Sequence, residues 1–172
     1  MSTVYSPTRQ AFSNAAHVAA QTQFYPELFG KRPLTFTDTG KTVADLEYAI
    51  DRQIAVTLPQ LRAPLLFDIQ ERWRNPADLG YGDITVTEWN IDTNEPSELH
   101  KLGAHLFVYG FYDEAADRIV LAVAVEVPRM LLGMVLGKLP SERRPRGDQT
   151  FRTFRYRDLH KAGAVALMLD RR

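Results

Sequence analysis

The chain has 172 residues and a formal net charge of zero, with 45% hydrophobic and 24% charged residues. These values are typical of a globular protein with a real core, and we expect residues 1–172 to form a single domain. The absence of cysteine excludes a disulfide framework and a thiolate metal site. The longest apolar run, residues 119–125, is far shorter than the roughly 20 residues that span a bilayer, so no membrane partner is expected. The N-terminus lacks the basic-then-apolar order of a signal peptide, which predicts a cytoplasmic location.

The first half of the predicted fold is a helix followed by extended segments. Residues 8–23 are rich in Ala, Gln and His and favour a helix, which Pro26 and Gly30 interrupt. Residues 37–42 are turn-like. Three extended segments are then predicted, and they cover residues 46–58, 65–74 and 83–89.

The second half alternates between helix and strand signals. Ser97 is a good helix cap, Leu99, Leu102 and Leu106 share one helical stripe, and Gly110 is well placed to end that helix. The remaining predicted elements are a strand covered on both faces at 119–127, a short helix from Pro128 to Met134, a loop at 139–149, an alternating strand at 150–157, a turn or short helix at 158–161, and a final strand at 164–169. This order predicts an α/β fold with a mixed central sheet flanked by helices.

The zero net charge hides an imbalance between two parts of the chain. The segment from Lys138 to Arg172 holds ten Lys/Arg and four Asp/Glu, which leaves eleven basic and seventeen acidic residues before it. A basic C-terminal segment beside an acidic body suggests an anionic partner for that segment. The alternative is that the two parts neutralise each other within the fold, and the sequence leaves both interpretations open.

The strand at 65–74 carries an unusual polar face. Because side chains alternate along a strand, Asp68, Gln70, Arg72 and Arg74 lie on one side. One interpretation is a solvent-facing edge strand on which Asp68 pairs with an arginine. The other is that this face lines a site.

Several familiar sites are absent from the sequence. There is no phosphate loop, no dinucleotide-binding glycine fingerprint and no nucleophile elbow, and the four histidines are not spaced as a zinc site. What remains is Asp51, followed nineteen residues later by Gln70 and then Arg72. A carboxylate and an oxygen donor from neighbouring strands can share a hard cation such as Mg²⁺, and an adjacent cation can hold a phosphate.

These pieces resemble the PD-(D/E)XK nuclease superfamily, in its phage and bacterial members. The resemblance is carried by Ile50-Asp51, by Gln70-Glu71-Arg72-Trp73-Arg74, by the strand starting at Asp83, and by the stretch from Ser97 to Tyr109-Gly110, and it covers roughly residues 10–130. It implies a restriction-endonuclease-like core and a magnesium-dependent endonuclease or exonuclease that hydrolyses DNA.

The resemblance also implies roles for individual residues. Asp51 would be the metal-binding acid, Gln70 would stand in place of the second acid, and the backbone carbonyl of Glu71 would complete the metal shell. Arg72 would replace the lysine that orients water and phosphate, and Glu27 is the nearest match to an acid on the first helix.

Two departures from the family pattern have chemical consequences. Gln70 binds Mg²⁺ less strongly than a carboxylate because it lacks charge, and Arg72 cannot accept a proton, since its pKa lies above about 12. A catalytically inactive nucleic-acid- or protein-binding module on the same fold is therefore the alternative. A weaker option is an assembly protein that uses the apolar helix after Pro128 as an interface.

The basic segment supplies the candidate DNA contacts. These are Arg143, Arg144, Arg146, Arg152 and Arg155. Phe151, Phe154 and Tyr156 are interleaved with arginines and either stack on bases or form an amphipathic strand. Three further interpretations stay open. Glu88 could be a substitute acid, and Lys101 either reaches the site from its helix or lies on a solvated stripe with Glu98 and His105. The chain could also form a homodimer.

Overall fold

The structure is a computed structural model, and it describes residues 7–40 and 42–172. The N-terminal segment whose composition predicts no signal peptide lies largely outside these residues. Within the described ranges, no helix is long and apolar enough to cross a membrane.

A six-stranded sheet forms the centre of the molecule, in the order β1-β2-β3-β6-β7-β10. Its strands are β1 (Leu34–Asp38), β2 (Arg52–Val56), β3 (Leu65–Arg74), β6 (Leu106–Asp113), β7 (Arg118–Glu126) and β10 (Val165–Asp170). All neighbouring pairs are antiparallel except β3 and β6, which are parallel. The sheet is therefore mixed, and its parallel pair lies in the middle.

A second, four-stranded sheet packs against the first. It is antiparallel in the order β5-β4-β9-β8, and its strands are β4 (Asp83–Asn90), β5 (Glu95–Pro96), β8 (Glu142–Arg146) and β9 (Gln149–Arg155). Ile84, Val86 and Phe154 from this sheet share one fully buried core with Phe107 and Val123 from the central sheet. Burial of these apolar side chains holds the two sheets together.

Helices cover both faces of the central sheet. They are α1 (Pro7–Gln23), α2 (Tyr25–Leu28), α3 (Val43–Tyr48), α4 (Glu98–Lys101), α5 (Val127–Val135) and α6 (Tyr156–Lys161), with a 3₁₀ helix at Pro76–Tyr81. Ala16, Ala19 and Ala20 have helical spacing and are buried, so α1 lies close against the sheet. The predicted class, an α/β fold with a mixed central sheet flanked by helices, is confirmed.

The helix predicted across residues 97–110 is wrong over most of its length. Only Glu98–Lys101 is helical, and the following residues from Leu106 onward form strand β6, which is almost entirely buried. A strand covered on both faces shows no alternation, and Leu106 at its start matches the helical spacing of Leu99 and Leu102 before it. Gly110 does not end a helix: it lies beneath Trp73, and a Cβ there would be 2.2 Å from Trp73 Cζ3.

Three further segments differ from their predicted structure. The turn-like residues 37–42 include the end of strand β1, which was not predicted, and the extended segment 46–58 contains the end of helix α3 before strand β2. The predicted loop at 139–149 contains strand β8, whose residues are all exposed. The helix after Pro128 is confirmed as α5, and it does expose apolar side chains at Leu132, Val135 and Leu136.

Candidate active site

A gap in the pairing of β3 creates the site. Strand β2 begins at Arg52, which pairs with Ile69, whereas β3 continues to Arg74 beside β6. The edge of β3 from Gln70 onward therefore has no β2 neighbour. Asp51 lies at the start of this gap, because its N–H donates to the carbonyl of Ile69 at 2.9 Å.

A cleft of about 520 Å³ occupies this gap. Its lining is predominantly polar and comes from α1, from the turn after β1, from α3 and from the β2–β3 edge. The lining residues are Gln10, Ser13, Asn14, Asp38, Gly40, Asp45, Asp51, Arg52, Gln70, Glu71, Arg72 and Trp73. The structure thus brings together Asp51, Gln70, Glu71 and Arg72, which the sequence places in two separate segments.

The carboxylate of Asp51 is bound to the backbone of β3. Its Oδ2 accepts a hydrogen bond of 2.8 Å from the N–H of Glu71. Burial raises the pKa of the Asp51 carboxyl to about 7, the hydrogen bond from Glu71 opposes this rise, and the negative charge of Glu71 adds to it. A nearby cation would stabilise the ionised form of this carboxyl, because its positive charge offsets the free-energy cost of ionising a buried group.

Gln70 is buried, and its amide has a defined orientation. Its Nε2 donates to Glu98 Oε1 at 3.0 Å, and a carboxylate can only accept, so the amide oxygen points the other way. Gln70 Oε1 is buried and has no hydrogen-bond partner among the described residues. A buried acceptor without a partner costs stability and therefore fits a bound cation or donor.

Arg72 is held by several partners on the same side of β3. Its guanidinium forms an ion pair with Glu98 and donates to Thr87 Oγ1 at 3.0 Å and to the carbonyl of Thr85 at 3.4 Å. The polar face of the strand therefore has two parts: Gln70 and Arg72 line the cleft, whereas Asp68 accepts from Gln53 at 3.0 Å and lies near His105.

The oxygen donors fit a hard cation that keeps part of its water shell. In a strand the N–H and C=O of one residue point to the same side, so the carbonyl of Glu71 faces the gap beside Asp51. One carboxylate, one amide oxygen and one carbonyl are ligand types that Mg²⁺ accepts together with water. Across residues 7–40 and 42–172 there is no group of three or more His, Asp or Glu side chains able to hold a metal. Any metal here would depend on the neutral oxygens.

Glu27 is not brought to the cleft. It lies on α2 with half of its side chain exposed and pairs with Lys31 at 3.9 Å. The wall of the cleft that comes from the first helix is formed instead by Gln10, Ser13 and Asn14, none of which is acidic.

The candidate DNA-binding arginines lie on the β8–β9 hairpin and include both paired and exposed groups. Glu88 is buried and pairs with Arg143 at 2.8 Å and with Arg152. Arg144 pairs with Glu142 at 2.6 Å and lies 3.5 Å from Asp83. Arg143, Arg144, Arg146 and Arg155 are nevertheless exposed, so the hairpin presents guanidinium groups to solvent. The ion pairs with Glu88 and Asp83 agree with neutralisation within the fold, and the exposure of the hairpin arginines leaves them accessible to an anionic partner.

Two charged residues of the site were missed by sequence reasoning. Arg52 lines the cleft and donates to the carbonyl of Asp51 at 2.9 Å and to Asp38. Glu98 is largely buried against Gln70 and Arg72 and is not on a solvated stripe. The position of Arg52 directly after Asp51 was a usable signal, whereas Glu98 reaches the site because α4 packs against β4, where the N–H of Thr87 donates to Glu98.

Comparisons with known proteins return one solved structure that resembles this chain. It is D212, a nuclease from a fusselovirus, with 10% identical residues, a TM-score of 0.38, and coverage of 90% of this chain and 88% of that chain. No protein-family model and no curated protein matches the sequence. The likeness to D212 is too distant to assign a function, so we base the proposed function on the geometry of the cleft.

Proposed function

We propose that this chain is a magnesium-dependent nuclease of the PD-(D/E)XK type that hydrolyses phosphodiester bonds of DNA. The observation that supports it best is the convergence of Asp51, Gln70, the backbone of Glu71 and Arg72 on one polar cleft at a gap in the sheet. Acid, oxygen donor and guanidinium are the groups that metal-assisted phosphodiester hydrolysis requires.

Each of these groups has a separate task in the proposed reaction. Asp51, Gln70 Oε1 and the carbonyl of Glu71 would hold Mg²⁺, which supplies Lewis-acid polarisation of the phosphate when bound. Arg52 and Arg72 line the same cleft, and their fixed positive charges would stabilise the charge that develops on the phosphate oxygens.

The proton balance follows from the residues present. A water oxygen bonds to phosphorus, the bond from phosphorus to the leaving oxygen breaks, the leaving oxygen takes up one proton from solvent, and the attacking water loses one proton. Neither guanidinium can accept this proton because both remain protonated. The proton therefore passes to a substrate phosphate oxygen or to solvent, which predicts a modest rate.

The test is cleavage of labelled single-stranded and double-stranded DNA in Mg²⁺ and in a chelator. Cleavage that requires the metal and is lost in Asp51→Asn supports the proposal. Absence of cleavage of both substrates, with DNA binding retained, would support the inactive binding module. That alternative is favoured by one observation, which is that Glu98 already neutralises Arg72.

Gln70→Glu should tighten Mg²⁺ binding by about tenfold or more. The change replaces a neutral oxygen donor by a charged one at the same position, and it restores the acid that the family pattern contains. Glu98 lies 3.0 Å away, so part of the gain is offset by repulsion between the two carboxylates. Isothermal titration with Mg²⁺ measures the change, and weaker binding in the variant would show that Gln70 does not face the metal.

The exposed hairpin arginines should carry the salt dependence of DNA binding. Neutralising a phosphate releases counterions, and on duplex DNA log K falls with log salt at a slope of about −0.9 per phosphate. Changing Arg143, Arg144 and Arg146 together to Gln should flatten this slope by about two to three units. The effect should be the same for all sequences, because phosphate contacts do not specify a base.

A second triple variant provides the control for this experiment. Arg32, Arg62 and Arg118 are also exposed but lie outside the basic C-terminal segment. Filter binding over a salt series should show that their change to Gln leaves the slope close to that of the wild type. Equal slopes for both triple variants would remove the hairpin from the proposed DNA interface.

A further inference from the structure

The side chain of Glu71 is buried on the opposite side of β3 from Gln70 and Arg72. Only 5% of this side chain is exposed, and the hydroxyl of Tyr25 donates to Oε1. His17 Nδ1 lies 2.9 Å from Oε1 and 3.0 Å from Oε2. The proposed reaction uses the backbone of Glu71 and gives its carboxylate no role.

The partners of this carboxylate are neutral donors. Gln21 Nε2 lies 2.9 Å from His17 Nε2, and an amide nitrogen can only donate, so His17 Nε2 accepts and the Nδ1–H of His17 donates a hydrogen bond to Glu71. Trp73 Nε1 contributes a longer contact of 3.4 Å. No Lys or Arg of the described chain forms an ion pair with Glu71. Hydrogen bonds, and no ion pair with a Lys or Arg of the described residues, therefore hold its negative charge.

This charge lies next to the proposed metal ligands. The N–H of Glu71 binds Asp51, and Glu71 itself lines the cleft. Burial is the largest cause of the raised pKa of Asp51, and the negative charge of Glu71 adds to it. In a partly buried setting such an interaction is weakly screened and acts on a bound cation as well.

We infer that the carboxylate of Glu71 supplies, from behind the strand, the second negative charge that the site lacks at Gln70, and that it strengthens the binding of a divalent cation beside Asp51. This inference rests on the proposed function. Glu71 acts here as a positioning and electrostatic residue, since its side chain points away from the cation and only its backbone faces the gap. His17 and Tyr25 keep the charge in place.

The test is Mg²⁺ affinity measured by calorimetry in the absence of DNA. Glu71→Gln should weaken binding by at least about tenfold, because it removes the charge and keeps the size of the side chain. Glu71→Asp keeps the charge and should stay within about threefold of the wild type. The double variant Gln70→Glu/Glu71→Gln returns the charge to the cleft and should bind at least as tightly as the wild type.

A buried acid remote from the cleft serves as the matched control. Glu88 is also buried, and Glu88→Gln makes the same chemical change in the second sheet. It should leave Mg²⁺ affinity unchanged even where it lowers the thermal midpoint. If Glu71→Gln alone fails to fold, the Mg²⁺ affinities of Gln70→Glu and of the double variant are compared instead. These two proteins differ only in the charge of residue 71, so the double variant should bind Mg²⁺ about tenfold more weakly than Gln70→Glu.

The outcomes separate this inference from the proposed function. A wild-type chain that binds Mg²⁺, together with unchanged affinity in Glu71→Gln, would overturn the inference and leave the nuclease proposal standing. A wild-type chain that binds no Mg²⁺ would overturn both. Weakened binding in Glu88→Gln as well as in Glu71→Gln would also overturn the inference, since loss of a buried acid would then act through the fold.

Discussion

Asp51→Asn is expected to reduce magnesium-dependent cleavage by at least about a thousandfold. Asp51 is the only carboxylate among the three proposed ligands, so the variant would leave the cation with neutral oxygens alone. The measurement is single-turnover cleavage over a range of Mg²⁺ concentrations. Asp68→Asn is the matched control, because Asp68 lies on the neighbouring strand β3 but does not line the cleft. Equal activity in the two variants would remove Asp51 from the metal site.

The same substitution should leave the fold intact and even stabilise it in metal-free buffer. The pKa of Asp51 rises from 3.8 to about 7 on folding, so ionisation of this carboxyl opposes folding. The stability of the wild type should therefore fall as pH rises from about 4 to 7, whereas that of Asp51→Asn should not fall for this reason. Above pH 7 the variant should be more stable by about 2 kcal/mol, allowing for solvent screening of a half-buried group. Thermal unfolding at pH 4 and pH 8 measures the difference, and a less stable variant at pH 8 would make Asp51 structural.

The parts of the fold with strong local signals were predicted well. The alternating strand at 65–74 and the short helix after Pro128 occur where the sequence indicates them. Residues 106–113 were predicted wrongly because a strand buried on both faces carries no period, and the leucines before it fit a helix. Gly110 in this strand leaves room for the ring of Trp73, and no local sequence pattern indicates that contact.

The sequence predicted which residues of the site follow one another along the chain. The electrostatics of the site depend on contacts between residues that are far apart in the sequence. Asp51 and Gln70 converge because β2 is shorter than β3, and that difference in length is a property of the sheet. The pairing of Arg72 with Glu98 joins residues 26 positions apart. The network that holds Glu71 depends on α1 packing over the strand, with His17 54 positions away. Such contacts need the tertiary fold, because no spacing along the chain specifies them.

Glu98→Ala is expected to lower the free energy of unfolding by about 3 kcal/mol. Glu98 is 10% exposed and pairs with Arg72, whose side chain is 19% exposed, so the substitution leaves a largely buried cation without its counter-ion. It also removes acceptors from Gln70 Nε2 and from the N–H of Thr87, which lies 3.2 Å from Oε2. Urea unfolding measures the loss. Glu126→Ala is the control, since Glu126 pairs with Arg129 at the surface and should cost less than about 1 kcal/mol.

A double-mutant cycle shows whether the loss comes from the pair. Removing both charges in Arg72→Met/Glu98→Ala should cost less than Glu98→Ala alone, because the buried cation is then absent. Glu98→Ala should also weaken Mg²⁺ binding, since Glu98 fixes the amide of Gln70 with its oxygen on the side away from Glu98, and a free amide can rotate. If Glu98→Ala lowers the free energy of unfolding no more than Glu126→Ala does, the guanidinium of Arg72 is solvated when Glu98 is absent. The polar face of β3 would then be a solvated surface, and Arg72 would lack the fixed position that the proposed site requires of it.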